Sequence, residues 1–343
     1  MGVSFKDISN PKEINIDFLQ GKVLAVDAFN MLYQFLTTIV QRDGSYFTDS
    51  KGRPTSHLIG LFSRTTNFMK SGIKLIFVFD GVAPELKSKE RERRAKVKED
   101  AMTKFKSAVA REDVDSMKKY ASRTKRLSTE MIEEAKELIR ALGLPVVEAP
   151  SEGDAQAAYI VKKKDAFATV SQDFDTLMHG TSKLVRNLSI AGKRKKANKL
   201  SYEKINPELI TLSNVLNENS MDIDQLIILG IILGTDYNIG GVKGIGIRNG
   251  LKLVKKHGKN FDALFDEIRE KKEFDFDWKE VFQTIKNMPV TDDYVIEWKA
   301  VDEEKIKEIL LDRNFSKERI ESSLEKIKEY SSNKKQKALG DFF

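Results

Sequence analysis

The sequence contains no cysteine and only three histidines, and no run of apolar residues in it is long enough to cross a bilayer. The absence of cysteine excludes disulfide bonds and thiolate metal sites. The histidines, His57, His179 and His257, are too scattered to predict a zinc centre. Any metal in this protein should therefore be a hard cation bound by oxygen atoms.

The start of the chain also lacks targeting signals. The first residues, MGVSF, are neither basic nor followed by a long apolar run, so no secretory leader is predicted. The myristoylation pattern wants Ser or Thr at the sixth position, where this chain has Lys6. We therefore expect an intracellular protein of the cytoplasm or nucleoid, with no membrane partner.

One basic segment supplies the net charge of the chain. The 343 residues are 40% apolar, which suits a globular protein with a large core, and their net charge is +7. Residues 87–126 carry fifteen Lys or Arg and seven Asp or Glu, so the rest of the chain is close to neutral. A concentrated positive segment indicates a polyanionic partner.

Predicted strands and helices alternate along most of the chain. Short apolar runs predict strands at 22–27, 73–79, 144–147, 167–170 and 183–188. Apolar spacing predicts helices at 29–40, 56–70, 128–142, 151–164, 221–233 and 247–257. This order favours an α/β fold with a mostly parallel central sheet. Residues from 84 to about 127 lack a continuous apolar face and are predicted to form exposed helices that project from the core. A basic hairpin tip or loop is predicted at 192–199.

Seven acidic residues stand at or just beyond the ends of predicted elements. They are Asp27, Asp80, Glu152, Asp154, Asp173, Asp175 and Asp236. The carboxyl ends of parallel strands share one edge, where ligands bind, so these acids could converge. Seven carboxylates in one cleft would repel one another strongly unless cations neutralised them. Two Mg²⁺ ions, or Mn²⁺ in their place, would do so.

Local structure offers simpler explanations for two pairs of these acids. Ser151 and Asp154 have the spacing of a capping box, and acids in a first helical turn are favoured by the helix dipole. Asp173 and Asp175 could belong to a turn that follows a strand. Asp236 has no such explanation, because it follows a helix C-terminus, where negative charge is unfavourable.

The acids and the basic segment together predict a nuclease. Two metal ions can generate hydroxide and stabilise the leaving oxygen in phosphodiester cleavage. A phosphatase or a synthetase would also use Mg²⁺, but the basic segment favours a polyanionic substrate. Lys87, Arg91, Arg94 and Lys98 are spaced as one stripe of a helix, which could hold a scissile phosphate over the acids. A solvated helix face is the alternative explanation of this stripe.

Residues 241–246, GVKGIG, form a glycine-rich turn before the predicted helix at 247–257. Backbone N–H groups and a helix N-terminus make such a turn suitable for binding phosphate. The turn lacks the Lys-Ser/Thr of a P-loop. A tight turn between two helices is the alternative, and it is compatible with binding the backbone of duplex DNA.

Five segments resemble the successive motifs of a known family. VDAFNMLYQFL, FVFDGVAPELKSKERERR, EAPSEGDAQAAYI, TVSQDFDTLMHG and GTDYNIGGVKGIG are similar to those of the flap endonucleases. These are structure-specific 5′ nucleases of DNA replication and repair, and the archaeal type is the one that the chain resembles most. The resemblance covers nearly the whole chain and implies a PIN-like α/β core.

The resemblance also implies roles for individual residues. The seven acids would be the metal ligands, and Asp80 and Glu152 would be catalytic together with Lys87 and Arg94 at the foot of a helical arch. Tyr33 would stack on a base near the cleavage point. A helix–three-turn–helix motif, often with a K⁺ ion, would grip duplex DNA. Further DNA contacts would come from Gly2, Arg91, Lys243, Gly244, Gly246 and Arg248.

The reaction implied is Mg²⁺-dependent hydrolysis just inside the duplex at the base of a 5′ flap, with associated 5′-3′ exonuclease activity. The product would be a nick with a 5′-phosphate and a 3′-hydroxyl, which a ligase can seal. Two alternatives are a related 5′ exonuclease or a bubble-cutting repair nuclease. A third, from a different class, is a non-catalytic scaffold that binds branched DNA and a sliding clamp.

The last eight residues, QKALGDFF, resemble a motif that binds the replication sliding clamp of the proliferating cell nuclear antigen type. A polar tail has no core in which to bury apolar side chains, and a pocket on the clamp would bury them. Contact with the protein's own surface is the alternative. The residues concerned are Gln336, Leu339, Phe342 and Phe343.

The domain organisation predicted from the sequence is one nuclease domain followed by a tail. The domain would span 1–330, with an α/β core at 1–215 and a helix–three-turn–helix region with C-terminal helices at 216–330. A flexible tail would occupy 331–343 and carry the clamp-binding motif at 336–343. On its own the protein would be a monomer.

Overall fold

A seven-stranded sheet forms the centre of the fold in this computed structural model, which describes residues 3–188, 193–195 and 202–340. Its strands in chain order are β1 (Lys12–Glu13), β2 (Val23–Asp27), β3 (Lys74–Phe79), β4 (Val146–Glu148), β5 (Ala168–Val170), β6 (Lys183–Arg186) and β9 (Glu208–Thr211). Across the sheet the order is β1-β9-β6-β5-β2-β3-β4. The pairs among β2 to β6 are parallel, and β9 and β1 are antiparallel to their neighbours. Strands β7 (Lys193–Lys195) and β8 (Tyr202–Lys204) form a separate hairpin.

Helices cover both faces of this sheet and continue beyond it. They are α1 (Ala28–Thr38), α2 (Ser56–Lys70), α3 (Ser88–Ala110), α4 (Val114–Thr124), α5 (Thr129–Ala141), α6 (Gly153–Lys162), α7 (Asp175–Met178), α8 (Leu212–Glu218), α9 (Ile223–Leu233), α10 (Ile247–His257), α11 (Phe261–Lys271), α12 (Trp278–Lys286), α13 (Glu303–Asp312) and α14 (Lys317–Gly340). None of the described helices combines the length and the apolar character that a membrane span needs.

The central strands are buried on both faces, which explains their continuous apolar sequence. Successive side chains of a strand point to opposite faces. In β3, Leu75 and Phe77 therefore join the core formed with α1, α2 and α5, whereas Ile76 and Val78 join the core formed with α6. Trp298 closes the second core from an irregular segment, and its indole Nε1 donates to Leu75 O at 3.3 Å.

Helix α9 organises the C-terminal half of the described chain. Its residues from Gln225 to Ile232 are all buried, as expected for a helix that is apolar on every side. A capping box between Asp222 and Gln225 starts it. Gly234, with φ of +100°, ends it, and a Cβ atom there would lie 2.5 Å from Gly241 N. The chain then turns through 241–246 into α10, so the glycines permit a close approach of two backbone segments.

Helices α3 and α4 form the projection that the sequence predicts for the basic segment. They pack on each other through small side chains, and Ala101, Ala108 and Ala121 are buried there. The returning chain is fixed beyond α4, where Lys125 Nζ donates to Gly44 O at 2.7 Å and the Arg126 amide donates to the Tyr46 hydroxyl at 2.8 Å. We call this pair of helices the arch.

Most predicted elements lie within a few residues of their observed bounds, and the mostly parallel sheet is confirmed. The antiparallel strands β9 and β1 were not predicted, because pairing with a distant partner leaves little local signal in four or two residues. Helix α14 continues to Gly340, whereas the sequence predicts a flexible tail from 331. The run KKQKAL consists of good helix formers, which accounts for the extension. The division into domains stays a prediction.

Gly60 provides a test of the packing between α1 and α2. A Cβ atom at this position would lie 2.3 Å from Cγ of Phe35, whose side chain is fully buried. We expect Gly60→Ala to lower the free energy of unfolding by about 1 to 3 kcal/mol, because the ring cannot withdraw in a filled core. Denaturant unfolding measures the change.

The control for this substitution is Ser63→Ala, which changes an exposed position of the same helix. It should alter the free energy of unfolding by less than about 0.5 kcal/mol. Equal stability of the two variants would contradict the packing described here.

Candidate active site

The carboxyl edge of the sheet brings together six of the seven predicted acids. Strands β5, β2, β3 and β4 are consecutive neighbours, each about 4.8 Å from the next. Asp27 is the last residue of β2, and Asp80 follows β3. Glu152 and Asp154 follow β4 at the start of α6, and Asp173 and Asp175 follow β5. The seventh acid, Asp236, lies in the turn that follows α9.

One asparagine connects the acids of β2 and β5. The Asn30 amide nitrogen Nδ2 donates to Asp173 Oδ2 at 2.9 Å, and its Oδ1 accepts from the Gln172 N–H at 3.2 Å. Its backbone N–H donates to Asp27 Oδ1 at 2.9 Å, so Asp27 also caps α1. Ser171 Oγ donates to Asp27 Oδ2 at 3.1 Å. These bonds orient two acids without adding another charge.

Two further acids accept backbone N–H groups. Asp80 Oδ1 accepts from Gly153 N at 2.7 Å, and Asp175 Oδ1 accepts from Val3 N at 2.9 Å. Hydrogen bonds from N–H groups stabilise a carboxylate at a fixed position. The contact of Val3 also brings the start of the described chain to the acids. Gly2, predicted to contact DNA, lies outside the described residues.

Lys87, directly before α3, and Arg94, in its second turn, form what we call the foot of the arch. They supply positive charge to the remaining acids, Glu152 and Asp236. Lys87 Nζ lies 2.5 Å from Glu152 Oε2 and 3.5 Å from Asp236 Oδ2. Arg94 Nη2 donates to both carboxylate oxygens of Asp236, at 2.7 and 2.9 Å. The two basic residues that the resemblance implies as catalytic therefore reach the acids directly, and they link the arch to the sheet.

Asp154 is the least satisfied acid of the site. Its Oδ1 is buried, and among the described residues it has no hydrogen-bond partner. Burial raises its pKa well above the usual value, and the charges of Asp27, Asp175, Asp80 and Asp173 raise it further. The carboxyl group therefore lies within electrostatic range of four other acids.

Three more acids show the same mutual influence. Burial, followed by the charge of Asp80, raises the pKa of Asp27 to about 7. Burial and the charge of Asp173 raise the pKa of Asp175 to about 7. Loss of hydration and the charge of Glu152 raise the pKa of Asp80 to about 6. These acids therefore repel one another, and the charge of Lys87, which lowers the pKa of Asp80 and Asp175, does not offset this repulsion.

The donor set fits a hard divalent cation. All of the candidate ligands are carboxylate oxygens. Among them, Asp154 Oδ1 has no hydrogen-bond partner in the described residues and is therefore available to bind a metal ion. Within the described residues, however, no three acidic or histidine side chains are grouped closely enough to hold an ion as they stand. Several carboxylates are instead directed to N–H groups, to Lys87 or to Arg94. The assignment of the seven acids as metal ligands stays a prediction.

The expected capping box at the start of α6 is wrong. Ser151 Oγ donates to Val82 O at 2.8 Å instead of to the helix, and the N-cap residue is Glu152. The side chain of Glu152 makes no capping bond, because Lys87 holds it. The simple explanation by capping thus fails, and the direction of Glu152 toward the arch follows from its ion pair.

The other predicted DNA contacts lie on two surfaces. Tyr33 is partly buried on α1, and Lys98 Nζ of the arch lies 5.7 Å from the centre of its ring. Arg91 is exposed on α3. Lys243, Gly244 and Gly246 are exposed in the glycine-rich turn, and Arg248 is exposed in the first turn of α10. Their DNA contacts remain predictions.

Three residues near the acids were not singled out from the sequence. Asn30 follows Asp27 by three positions, and Glu90 lies between Lys87 and Arg94 in a stretch crowded with charges. Tyr237 follows Asp236 directly, and burial together with the charge of Glu152 raises its pKa. Only proximity to a predicted site residue could have indicated them.

Comparison with family models agrees with this arrangement. Residues 1–101 match the XPG N-terminal domain, and residues 143–236 match the XPG I-region. The two matched regions contain all seven acids and the residues of the arch foot. The class defined by fold and site is thus the XPG/PIN-like nucleases.

Individual relatives narrow the class. Flap endonuclease 1 of Pyrococcus abyssi is 46% identical over 100% of this chain and 98% of its own length. The corresponding protein of Staphylothermus marinus is 45% identical, with 99% and 98% covered. The structure of flap endonuclease-1 from Methanococcus jannaschii matches with a TM-score of 0.75 and 39% identity, covering 97% of this chain and 100% of that one. The chain belongs to the flap endonuclease family.

A more distant structure shares the fold alone. The catalytic core of Rad2, solved in complex with a DNA substrate, matches with a TM-score of 0.70 at 23% identity and covers 95% of this chain and 100% of that one. The arrangement of sheet and helices is therefore shared with a chain whose sequence is much less similar.

The raised pKa values predict how the stability of the metal-free protein depends on pH. An acid whose pKa is higher in the folded state stabilises the fold below its unfolded pKa, and this contribution is lost as pH rises through the folded value. For Asp27 and Asp175 the loss falls between about pH 4 and about pH 7. We expect Asp154→Asn to raise the melting temperature by a few degrees at about pH 8 in EDTA, because it removes a repelled charge.

The gain from Asp154→Asn should shrink as the pH is lowered, because burial and the neighbouring acids raise the pKa of Asp154 and so favour its neutral form. Asp17→Asn, at an exposed position before β2, is the control and should change little at either pH. A lower melting temperature for Asp154→Asn at the higher pH would contradict the repulsion inferred for the site.

Proposed function

We propose that this protein is a structure-specific 5′ flap endonuclease that hydrolyses the phosphodiester bond at the junction of single strand and duplex and leaves a ligatable nick. The observation that carries the proposal is the joining of the acidic sheet edge to the basic arch through Lys87 and Arg94. Family membership supports it, since the relatives named above are flap endonucleases.

The metal proposed is Mg²⁺, in two sites, with Mn²⁺ as a substitute. When bound, the ions would supply an activated water and stabilise charge on the reacting phosphate. The seven acids would hold them, and Asp154 Oδ1, which has no hydrogen-bond partner among the described residues, would be available as a ligand. A K⁺ ion at the helix–three-turn–helix would be a further cofactor.

Lys87 and Arg94 would hold the scissile phosphate over the acids. Although burial lowers the pKa of Lys87, the charges of Glu152 and Asp236 outweigh this effect and raise it above the usual value, so the amine is cationic. Arg94 presents a planar fork of donors suited to phosphate. When a phosphate binds here, Lys87 and Arg94 would give up their contacts with the carboxylates and donate to the phosphate oxygens instead.

The other residues would position the DNA. Tyr33 would stack on a base next to the cleaved bond, which offsets part of the cost of unpairing the end of the duplex. The exposed residues Lys243, Gly244, Gly246 and Arg248 would bind the backbone of the downstream duplex, because they lie at the N-terminus of α10, where Gly246 provides no side-chain cap.

The partners proposed are branched DNA with a 5′ flap and the replication sliding clamp. Gln336 and Leu339 belong to α14, and Phe342 and Phe343 lie outside the described residues. The clamp contact therefore rests on the motif itself. The protein would work inside the cell and would be monomeric without its partners.

Cleavage of a 5′-flap substrate with Mg²⁺ tests the activity. We expect Asp80→Asn and Asp175→Asn each to reduce the cleavage rate by at least about 100-fold, because each removes a charge needed to bind the metal ions. Single-turnover rates on labelled DNA measure the loss. Asp17→Asn should cleave at the rate of the wild type.

The choice of substrate separates the alternatives. Preference for flap over nicked and bubble DNA supports the proposal, whereas preference for bubble or nick would favour a related exonuclease or repair nuclease. DNA binding that is insensitive to EDTA, without product in any metal, would show a scaffold and refute the enzyme.

The tail can be tested separately. We expect deletion of residues 336–343 to abolish binding to the sliding clamp, because it removes the apolar side chains that would fill the pocket of the clamp. Binding is measured by calorimetry and cleavage in the absence of clamp. If the deletion instead lowers basal cleavage, the tail contacts the nuclease domain.

A further inference from the structure

Glu90 is the unusual acid of the arch. Its exposed fraction is 2%, although the other acids in this half of α3, such as Glu92 and Glu99, face solvent. A carboxylate is rarely buried unless it is paired, and here the partners are two arginines. Arg93 binds it in a fork, with Nε to Oε2 at 2.6 Å and Nη2 to Oε1 at 2.8 Å.

The second partner of Glu90 is Arg94. Arg94 Nε donates to Glu90 Oε1 at 2.6 Å, while Nη2 of the same guanidinium donates to Asp236. The guanidinium group is thus held at both ends, by the arch on one side and by the acidic site on the other. Since the group is planar and rigid, fixing two nitrogens fixes the direction of all of its donors.

A simple helix-stabilising role is a weaker explanation of these contacts. Exposed pairs at spacings of three and four contribute only about 0.2 to 0.5 kcal/mol to a helix, and many such pairs occur along charged helices. Glu90 differs because it is buried and because its partner also reaches Asp236. Hydrogen bonds from Arg93 first, and from Arg94, keep its pKa low, at about 2, so it remains ionised.

We propose that Glu90 is a positioning residue for the cleavage reaction, which holds the guanidinium of Arg94 at the angle needed to receive the scissile phosphate. It touches neither the acids nor the substrate and acts through Arg94. The proposal rests on the proposed function, because it requires Arg94 to contact the phosphate. Its effect should therefore appear in the rate of the chemical step and not in the strength of DNA binding.

Electrostatics gives this proposal a distinctive signature. Removing a negative charge from a basic DNA-binding segment should leave DNA affinity unchanged or increase it. A positioning residue should nevertheless slow cleavage, by about 10- to 100-fold for a displacement of the order of 1 Å. Slower chemistry with equal or tighter binding is a combination that neither a lost DNA contact nor a general loss of structure produces.

The test is Glu90→Gln, with Glu92→Gln as the matched control on the exposed face. Single-turnover cleavage of 5′-flap DNA with Mg²⁺ gives the rate, binding of the same DNA in EDTA gives Kd, and melting temperature checks the fold. We expect Glu90→Gln to lose about 10-fold or more in rate at equal or lower Kd. Glu92→Gln should retain the wild-type rate.

Combination with Arg94→Ala decides whether Glu90 acts through Arg94. The double variant should be no slower than Arg94→Ala alone, because the group that Glu90 positions is already absent. Glu90→Asp, which keeps the charge on a shorter side chain, should have an intermediate rate and covers the case in which Glu90→Gln does not fold. Equal rates for the Glu90 and Glu92 variants, a loss explained by weaker binding, or multiplied losses in the double variant would overturn the inference. If the wild type itself does not cleave flaps, the proposed function fails instead.

Discussion

Repulsion among carboxylates is the constraint on which this structure depends. A parallel sheet places the ends of β5, β2, β3 and β4 side by side, and each of these ends contributes at least one acid. These acids can stay ionised and close together at the shared edge only if other groups stabilise their negative charges. The protein holds them with N–H donors at Gly153 and Val3, an uncharged amide at Asn30, and two cations from the arch. Burial and neighbouring charges nevertheless raise the pKa of Asp27 and Asp154, and a hard cation at this edge would relieve the repulsion.

The same constraint explains the arch. Its foot lies against the acids through Lys87 and Arg94, and Glu90 supports Arg94 from the opposite side. Acids and bases therefore alternate from Glu152 outward into the projecting helix. Such a row keeps long cationic side chains ordered over a cleft, because each charge has a neighbour of opposite sign. Beyond these residues, Ala101 and Ala108 of α3 and Ala121 of α4 are buried, and Lys125 and Arg126 attach the returning chain to Gly44 and Tyr46.

The sequence was sufficient where the signal is local. The runs ending in Asp27 and Asp80 are strands because β-branched and aliphatic residues fill both faces of a buried sheet. Helix α10 was predicted with its observed bounds, since glycines precede it and an amphipathic pattern fills it. The local sequence pattern gave a wrong prediction where a side chain could bond either to its own helix or to a distant residue. Ser151 has the spacing of a cap, yet it donates to Val82, which comes from a strand end nearly 70 positions earlier in the chain.

The sequence by itself determined the parallel sheet, the list of acids and the basic segment, because each follows from residue types in short windows. The resemblance of five motifs then indicated the family. Tertiary structure decided which groups meet: that Asn30 joins Asp27 to Asp173, that Lys87 takes Glu152 away from the helix end, and that Glu90 is buried behind Arg94. These contacts join residues from separate elements, and their geometry depends on the register and packing of the whole sheet, which no short window of sequence contains.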